Sequence, residues 1–324
     1  MSRICLTGDF HVKKGITTNI ILDYLDYLRE YCKENAIEFI IVMGDIFDKS
    51  SNIKNEAFVP LFMKFLQMKN EGINFTFILG NHDIYSVNND SVVETFSPLG
   101  QVIKEAEYKP GRGNFNYLPY TKKEEDIQNH EGILFTHVPI ADFNFDNAYH
   151  STEKHAFEKA LFSEYSLVFT GHFHRFQAQR NIVYVGSPIQ LNYGEIGIEK
   201  GFVVFDAIDE GWEFIPYKGA PTYTKIDIQD FKSFDPKNKF VGVHIEEKIE
   251  NFIKLKKILI DRGAIEVRPF FEKKEEMILN EKKKINNDSS TKDIIREYIG
   301  KVQEKGIDNS KLLEIFDKVL EEVV

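Results

Sequence analysis

Five short segments of this chain concentrate aspartate, asparagine and histidine. They are Gly8-Asp9-Phe10-His11, Gly44-Asp45-Ile46-Phe47-Asp48, Gly80-Asn81-His82-Asp83, Thr136-His137 and Gly171-His172-Phe173-His174. Five of the nine histidines fall in them; His130, His150, His155 and His244 do not. Carboxylate, carboxamide and neutral imidazole are oxygen and nitrogen donors that suit Mn²⁺, Mg²⁺, iron or Zn²⁺ better than soft copper. Neither cysteine (Cys5, Cys32) takes part, so a thiolate cage for structural zinc is excluded. D-x-H and H-x-H spacing puts alternate residues on one side of an extended chain, and the preceding glycines allow a sharp turn close to a small ion. The candidate ligands are seven: Asp9, His11, Asp45, Asn81, His137, His172 and His174. One ion rarely takes so many side chains, four of them imidazoles, whereas two ions sharing a bridging carboxylate use them naturally. Such a pair, ~3.5–4 Å apart, clamps the attacking and leaving oxygens of an in-line phosphoryl displacement. Each segment alone would more often be an ordinary turn; five in this order favour a metal site over coincidence.

The segments lie where strands should end. Runs 3–7, 39–43, 75–79, 133–136 and 167–170 are short, apolar, mostly β-branched or aromatic, and bounded by polar or glycine-containing loops. Between the first two, Ile20, Ile21, Tyr24, Leu25, Leu28 and Tyr31 recur at helical spacing after the cap candidates Thr17 and Thr18. Phe58, Leu61, Phe62, Phe65 and Leu66 repeat that pattern between the second and third. Strand–helix alternation predicts a layered α/β domain, whose ligand sites form at the carboxyl ends of strands. Runs 182–185, 202–205 and 212–215 then read as strands without long helices between them, a second sheet or an antiparallel extension closing the domain near residue 219. A smaller module follows over 220–272, with a strand at 241–245, a helix at 249–259, Gly263 as its C-cap and a strand at 265–270. Residues 273–289, which include Lys282-Lys283-Lys284, read as a charged linker. Residues 290–324 hold two amphipathic helices. From the pattern alone, such helices more commonly fold back on the body than dock on a partner.

Composition sets limits on the function. At 42% hydrophobic and 28% charged residues, the 324-residue chain is ordinary globular protein, which excludes disorder for most of it. No apolar run reaches the ~18 residues of a membrane span, and the N-terminus shows no signal-peptide pattern. The two cysteines cannot build a disulfide framework, so a reduced, cytoplasmic setting is expected. The net charge of −10 lies wholly in residues 1–219, with 20 basic and 30 acidic side chains, against 21 of each thereafter. Such a domain does not attract polyphosphate through its average field. If it acts on nucleic acid, bound metal ions or a partner must supply positive charge.

D-x-H, G-D-x-x-D, G-N-H-D, a later Thr-His and G-H-x-H, in this order, resemble the signature of the calcineurin-like metallophosphoesterase superfamily over about 1–219. The resemblance implies a layered αββα domain holding two divalent ions, Mn²⁺ foremost with Mg²⁺ also suitable. It assigns Asp9, His11, Asp45 and His174 to one ion and Asp45, Asn81, His137 and His172 to the other, with Asp45 bridging. It makes His82 a non-ligand catalytic histidine that stabilises the transition state and protonates the leaving oxygen, with the Asp48 carboxylate orienting it. A plain third ligand is the blander role for His82.

Two further stretches resemble SbcD-like DNA repair and recombination nucleases. They are 44–50 and Tyr184-Val185-Gly186-Ser187-Pro188-Ile189-Gln190-Leu191, the latter followed by Glu195 and Lys200-Gly201-Phe202. The chain length fits the phage-encoded members. The 220–272 module is similar in layout to their small α+β DNA-capping domain. The helical tail, 290–324, is similar to the segment that binds the coiled-coil base of an SMC-like ATPase. The resemblance thus implies a metal-dependent exo- or endonuclease subunit, a homodimer within a heterotetramer, in the host cytoplasm if phage-encoded and with no membrane contact. The alternatives are a nucleotide phosphodiesterase or phosphatase of the same superfamily, or a scaffold for the ATPase. Lys13, Lys14, Lys49, Lys54, Arg112 and Arg175 lie near the motif loops as candidate DNA contacts, though each alone is more often a solvated surface charge.

Overall fold

The structure, a computed structural model, describes residues 3–50, 53–109, 114–128, 131–144, 155–245 and 249–271. The expected linker 273–289, the helical segment 290–324, Arg112, His130 and His150 lie outside the described residues. Contacts divide the chain at residue 270, so the 220–272 module shares one compact unit with the body up to that point.

Strands β1 (Arg3–Thr7), β2 (Phe39–Val42), β3 (Asn74–Ile78), β4 (Gly100–Ile103), β5 (Glu107–Lys109), β6 (Phe115–Leu118), β7 (Ile133–Thr136), β8 (Leu167–Thr170), β9 (Gln177–Gln179), β10 (Ile182–Tyr184), β11 (Gly201–Asp206) and β12 (Trp212–Pro216) form two six-stranded sheets. The first runs β12-β11-β1-β2-β3-β4, with β1 to β4 parallel and β11 and β12 added antiparallel. The second runs β5-β6-β7-β8-β10-β9, with β6, β7, β8 and β10 parallel. The late strands therefore do both things the sequence suggested: β10 joins the second sheet, and β11 and β12 extend the first.

Alternation along the strands builds two cores. Ile4, Leu6, Ile41, Met43 and Ile78 of the first sheet pack on Ile133, Phe135, Phe169 and Val183 of the second. Their neighbours Cys5, Ile40, Val42 and Phe77 face the other way, onto helices α1 (Ile16–Glu34) and α2 (Asn55–Asn70). That is the period-2 signature of a sheet buried on both faces. The outer face of the second sheet is covered, among the described residues, by Phe143, Phe157 and Phe162, from loop and a short 3₁₀ turn (Lys159–Phe162). The fold is thus the expected layered α/β type, with its long helices on the first sheet. Helix α1 starts earlier than the Thr17/Thr18 caps suggested. Gly15 occupies the N-cap with φ of 104°, and Thr18 sits inside the first turn, its hydroxyl donating to the Lys13 carbonyl at 2.8 Å. Glycine takes that backbone conformation without a Cβ penalty, which fixes the start.

The module is a three-stranded sheet, β13 (Thr222–Asp227), β14 (Lys239–Ile245) and β15 (Glu266–Phe271), with helix α3 (Ile249–Asp261). Val241, Val243, Phe252, Leu255, Leu259 and Val267 give it a core of its own. Tyr223 also packs against the first sheet's core, and its N–H donates to Gln190 at 2.8 Å. Among the described residues, no helix is long and apolar enough to cross a membrane.

Candidate metal centre

All five segments emerge from the carboxyl ends of parallel strands: β1, β2 and β3 in one sheet, β7 and β8 in the other. Because the sheets are stacked, the loops meet at one end of the sandwich. Main-chain hydrogen bonds zip the first two together, from Asp9 N to Gly44 O (2.9 Å), His11 N to Asp45 O (3.0 Å) and Val12 N to Ile46 O (2.9 Å). The backbone is bent to suit. Asp9, His11, Asp45 and His172 have φ of 50°, 45°, 51° and 87°. Non-glycine residues in the left-handed region persist only where their surroundings hold them there, commonly at functional sites. Gly44, with φ of 95°, could not carry a side chain, because a Cβ would collide with the His137 ring.

The structure brings all seven expected ligands together. Donor atoms of Asp9, His11 and His174 lie within 4.8 Å of one another, and so do those of Asp45, His137 and His172. Asn81 closes the second group, its Oδ1 being 3.2 Å from His137 Nε2 and 2.9 Å from His172 Nδ1. Asp45 lies between the groups, with Oδ2 at 3.5 Å from His11 Nε2 and 3.4 Å from His137 Nε2.

Whether this donor set fits cations is decided by where its protons can be. His137 Nδ1 is 2.6 Å from the Met43 carbonyl and must donate to it. In the neutral ring, Nε2 then presents a lone pair to the Asp45 carboxylate and the Asn81 carbonyl, both of them acceptors. His174 Nδ1 likewise faces the Glu195 carboxylate at 2.9 Å, so its Nε2 points a lone pair at His11 Nε2, 3.0 Å away. Lone pairs aimed at one another in a buried site are reconciled by a cation, or by extra protons standing in for one. Without a cation, a proton takes that place at His137. Burial disfavours charge on His137, but Asp45 outweighs it and draws the His137 pKa up to about 9. At His11 burial wins and holds the pKa down at about 3. Burial pushes the Asp9 carboxyl up, opposed by the neighbouring histidines. The residues therefore fit divalent cations.

His82 Nδ1 donates to the main-chain carbonyl of Asp48 at 2.6 Å, and its ring meets His11 edge-on at 4.7 Å. Here the structure corrects the expected contact: Asp48 orients His82 through its backbone. Its carboxylate lies 4.0 Å from His11 Nδ1 and 3.7 Å from Lys13 Nζ. The turn after β2 sets this arrangement, because it directs the Asp48 carbonyl, and not its side chain, at the imidazole. A ring atom of His82 also lies within 4.8 Å of donor atoms of His11 and Asp45, so a ligand role keeps geometric room.

Three further groups matter that were not among the expected ligands or catalytic residues. Asp83, wholly buried, accepts from Gly80 N (3.1 Å), Ile46 N (3.0 Å) and Phe47 N (3.3 Å), and so ties the second loop to the third. Burial, reinforced by the Asp45 charge, pushes its carboxyl up to about 7. Its adjacency to His82 was the available signal. Glu195 stood out in sequence only through the family resemblance. It holds His174, pairs with Lys200 at 2.8 Å and accepts from Leu191 N at 2.9 Å. Burial would raise the Glu195 carboxyl, yet His174 and Lys200 bring it down to about 2. Tyr120, beyond β6, lies parallel to the His172 ring at 6.1 Å. Nothing in the sequence marked it, because β6 itself was not recognised.

All four candidate DNA-contacting lysines, Lys13, Lys14, Lys49 and Lys54, line one cavity of about 280 Å³ with Val12 and Asp48, next to His11 of the first donor group. Lys14 is engaged by Glu56 at 2.9 Å.

Residues 2–176 match the calcineurin-like phosphoesterase family. The chain belongs to that family. Exonuclease subunit 1 of Enterobacteria phage T4 is 28% identical to it over 280 residues, which cover 78% of this chain and 79% of that protein. Uncharacterized protein R555 of Acanthamoeba polyphaga mimivirus is 24% identical over 332 residues, covering 88% of this chain and 23% of that much longer one. Among solved structures, an archaeal phosphodiesterase aligns over 66% of this chain and 99% of its own, at 12% identity and a TM-score of 0.37, too distant to carry an argument. Membership of the phosphoesterase family and the donor clusters together imply divalent metal ions.

Proposed function

We propose that this phosphoesterase is a DNA nuclease subunit with a dinuclear centre. Asp9, His11, Asp45 and His174 hold one ion, Asp45, Asn81, His137 and His172 hold the other, and Asp45 is shared. Mn²⁺ suits the mixed imidazole and carboxylate donors, and Mg²⁺ is an acceptable substitute. Divalent ions bound there would polarise the scissile phosphodiester and acidify a water. The protein supplies the rest. The zipped loops fix the donors in advance, so little reorganisation is needed when substrate arrives. His82 spends Nδ1–H on the Asp48 carbonyl, so it acts as an imidazolium whose Nε2–H stabilises charge and passes its proton to the leaving oxygen. The single observation that carries this reading is the meeting of all seven donors, drawn from five strand ends, in one buried site.

DNA is favoured over a mononucleotide or phosphoprotein by the similarity to an exonuclease subunit across most of the chain and by the lysine-lined cavity beside the centre. That cavity puts positive charge where an otherwise acidic domain needs it. The word "subunit" in the relative's name supports a multi-subunit assembly. In this reading residues 290–324 bind an SMC-like ATPase, residues 220–272 cap the DNA, the chain dimerises within a heterotetramer, and it acts in recombination or repair in the host cytoplasm. The test is release of label from linear DNA with Mn²⁺, with Mg²⁺ and with EDTA. Release that needs metal is expected. Hydrolysis of a mononucleotide diester with DNA left intact would select the phosphodiesterase alternative.

A further inference from the structure

A second cavity, about 560 Å³, opens beside Asn81 of the second donor group, apart from the lysine-lined one beside Val12 and Asp48. Asn81 belongs both to its wall and to the second donor group, so the cleft adjoins the metal site. Its volume lies within the ~300–1,000 Å³ usual for small organic ligands. The lining is mixed: Val87, Pro119 and Tyr120 offer apolar surface, and Ser86 and Lys122 offer polar groups. Tyr120 is held firmly. Its N–H donates to Leu79 O at 2.8 Å, and its half-buried ring is braced against His172 at 6.1 Å and His137 at 6.4 Å. The loop over the cleft is ordered by Ser86, which donates to Asp90 at 2.7 Å and accepts from Asn88 N and Asp90 N. That ordered loop presents Val87 fully exposed and Tyr85 60% exposed.

We infer that this cleft is a nucleoside subsite, in which Tyr120 stacks on the base of a nucleotide flanking the scissile phosphodiester. The inference rests on the nuclease reading and narrows its substrate to a strand whose flanking base has left the duplex stack. A phosphate engaged beside Asn81 directs one of its ester substituents into the cleft. A fixed aromatic ring suits any base, because every base has a π-face. The exposed Val87 sits at the rim, where an apolar tip abuts the next base pair of a duplex end. The lysines of the other cavity take the backbone phosphates of the continuing strand. The asymmetry of the two cavities gives the site a direction along the strand.

The test uses the full chain with Mn²⁺ and short oligonucleotides whose linkages are phosphorothioates save one. The nucleotide on either side of that bond carries its base or is abasic. In the unaltered protein, removing the base on one side should lower kcat/KM on the order of tenfold, the scale of one lost base–aromatic stack. Tyr120→Ala should erase that base effect, and Tyr120→Phe should keep it. Ala106→Trp, at an exposed position of the cleft wall, should fill the cleft and reduce the base effect without touching a metal ligand. Equal losses on base-bearing and abasic substrates in Tyr120→Ala would overturn the inference, since Tyr120 would then act only through His172 and His137. So would cleavage by the unaltered protein that ignores the base on both sides, although the nuclease reading would survive. Hydrolysis of a small diester with no cleavage of DNA would remove the nuclease reading and this inference with it.

Discussion

The two halves of the centre are built with different rigidity. In the second donor group, His137 is oriented by a main-chain carbonyl, that of Met43 on the neighbouring loop. In the first, His174 is oriented by the side chain of Glu195, which is itself set by Lys200 and the Leu191 amide. A carbonyl partner cannot be changed by substitution without moving the backbone. A carboxylate partner can, and it also makes its histidine a more basic ligand. The second donor group is thus inherent in the sandwich, while the first depends on a buried charge relay from the strand-free stretch between β10 and β11. The first is the half that sequence change can tune.

The comparison breaks most completely at the residue both halves share. Asp45→Asn should lower turnover about 10³-fold or more, and the metal content measured by elemental analysis should fall at both places. His82→Ala separates chemistry from metal: kcat should drop ~10²–10⁴-fold with both ions retained. Loss of metal in that variant would make His82 a ligand. Glu195→Gln sharpens the contrast. A calorimetric Mn²⁺ titration should show ~10–100-fold weaker binding in one place and little change in the other. Equal weakening of both would mean that the two halves do not differ in this way. The smallest effect is on the fold. Removing metal with EDTA should lower Tm by about 5–10 °C, the scale set by losing a ligand held near one hundred times its Kd. Asp9 and Asp45, fully buried, then lose their compensating charge.

The ligands were legible in sequence because each is a hydrophilic residue placed just past an apolar strand, a local and repeated pattern. Strand ends followed from the same apolar runs, but which sheet each strand joins did not. What stayed hidden depended on contacts far apart in the chain. Strand β6 was missed because Asn116 interrupts its apolar pattern; in the fold that side chain is buried and satisfied by the Asn114 and Glu131 carbonyls. With β6 went Tyr120 and the cleft it lines. Edge strand β13 alternates between exposed and half-buried residues and carries little apolar signal. The Asp48 contact was misassigned because sequence shows a carboxylate three residues after Asp45, and not which of its oxygens the turn aims at His82. Glu195 stands 21 residues from the histidine it holds, a spacing fixed only by the return of the chain after β10.

The proposed dinuclear centre requires two ions sharing Asp45, and the electron paramagnetic resonance spectrum of the Mn²⁺-loaded protein tests that most directly. The expected spectrum is that of an exchange-coupled Mn²⁺ pair, with the coupling lost in Asp45→Asn. A spectrum of isolated Mn²⁺ at one ion per chain, unchanged by Asp45→Asn, would contradict it.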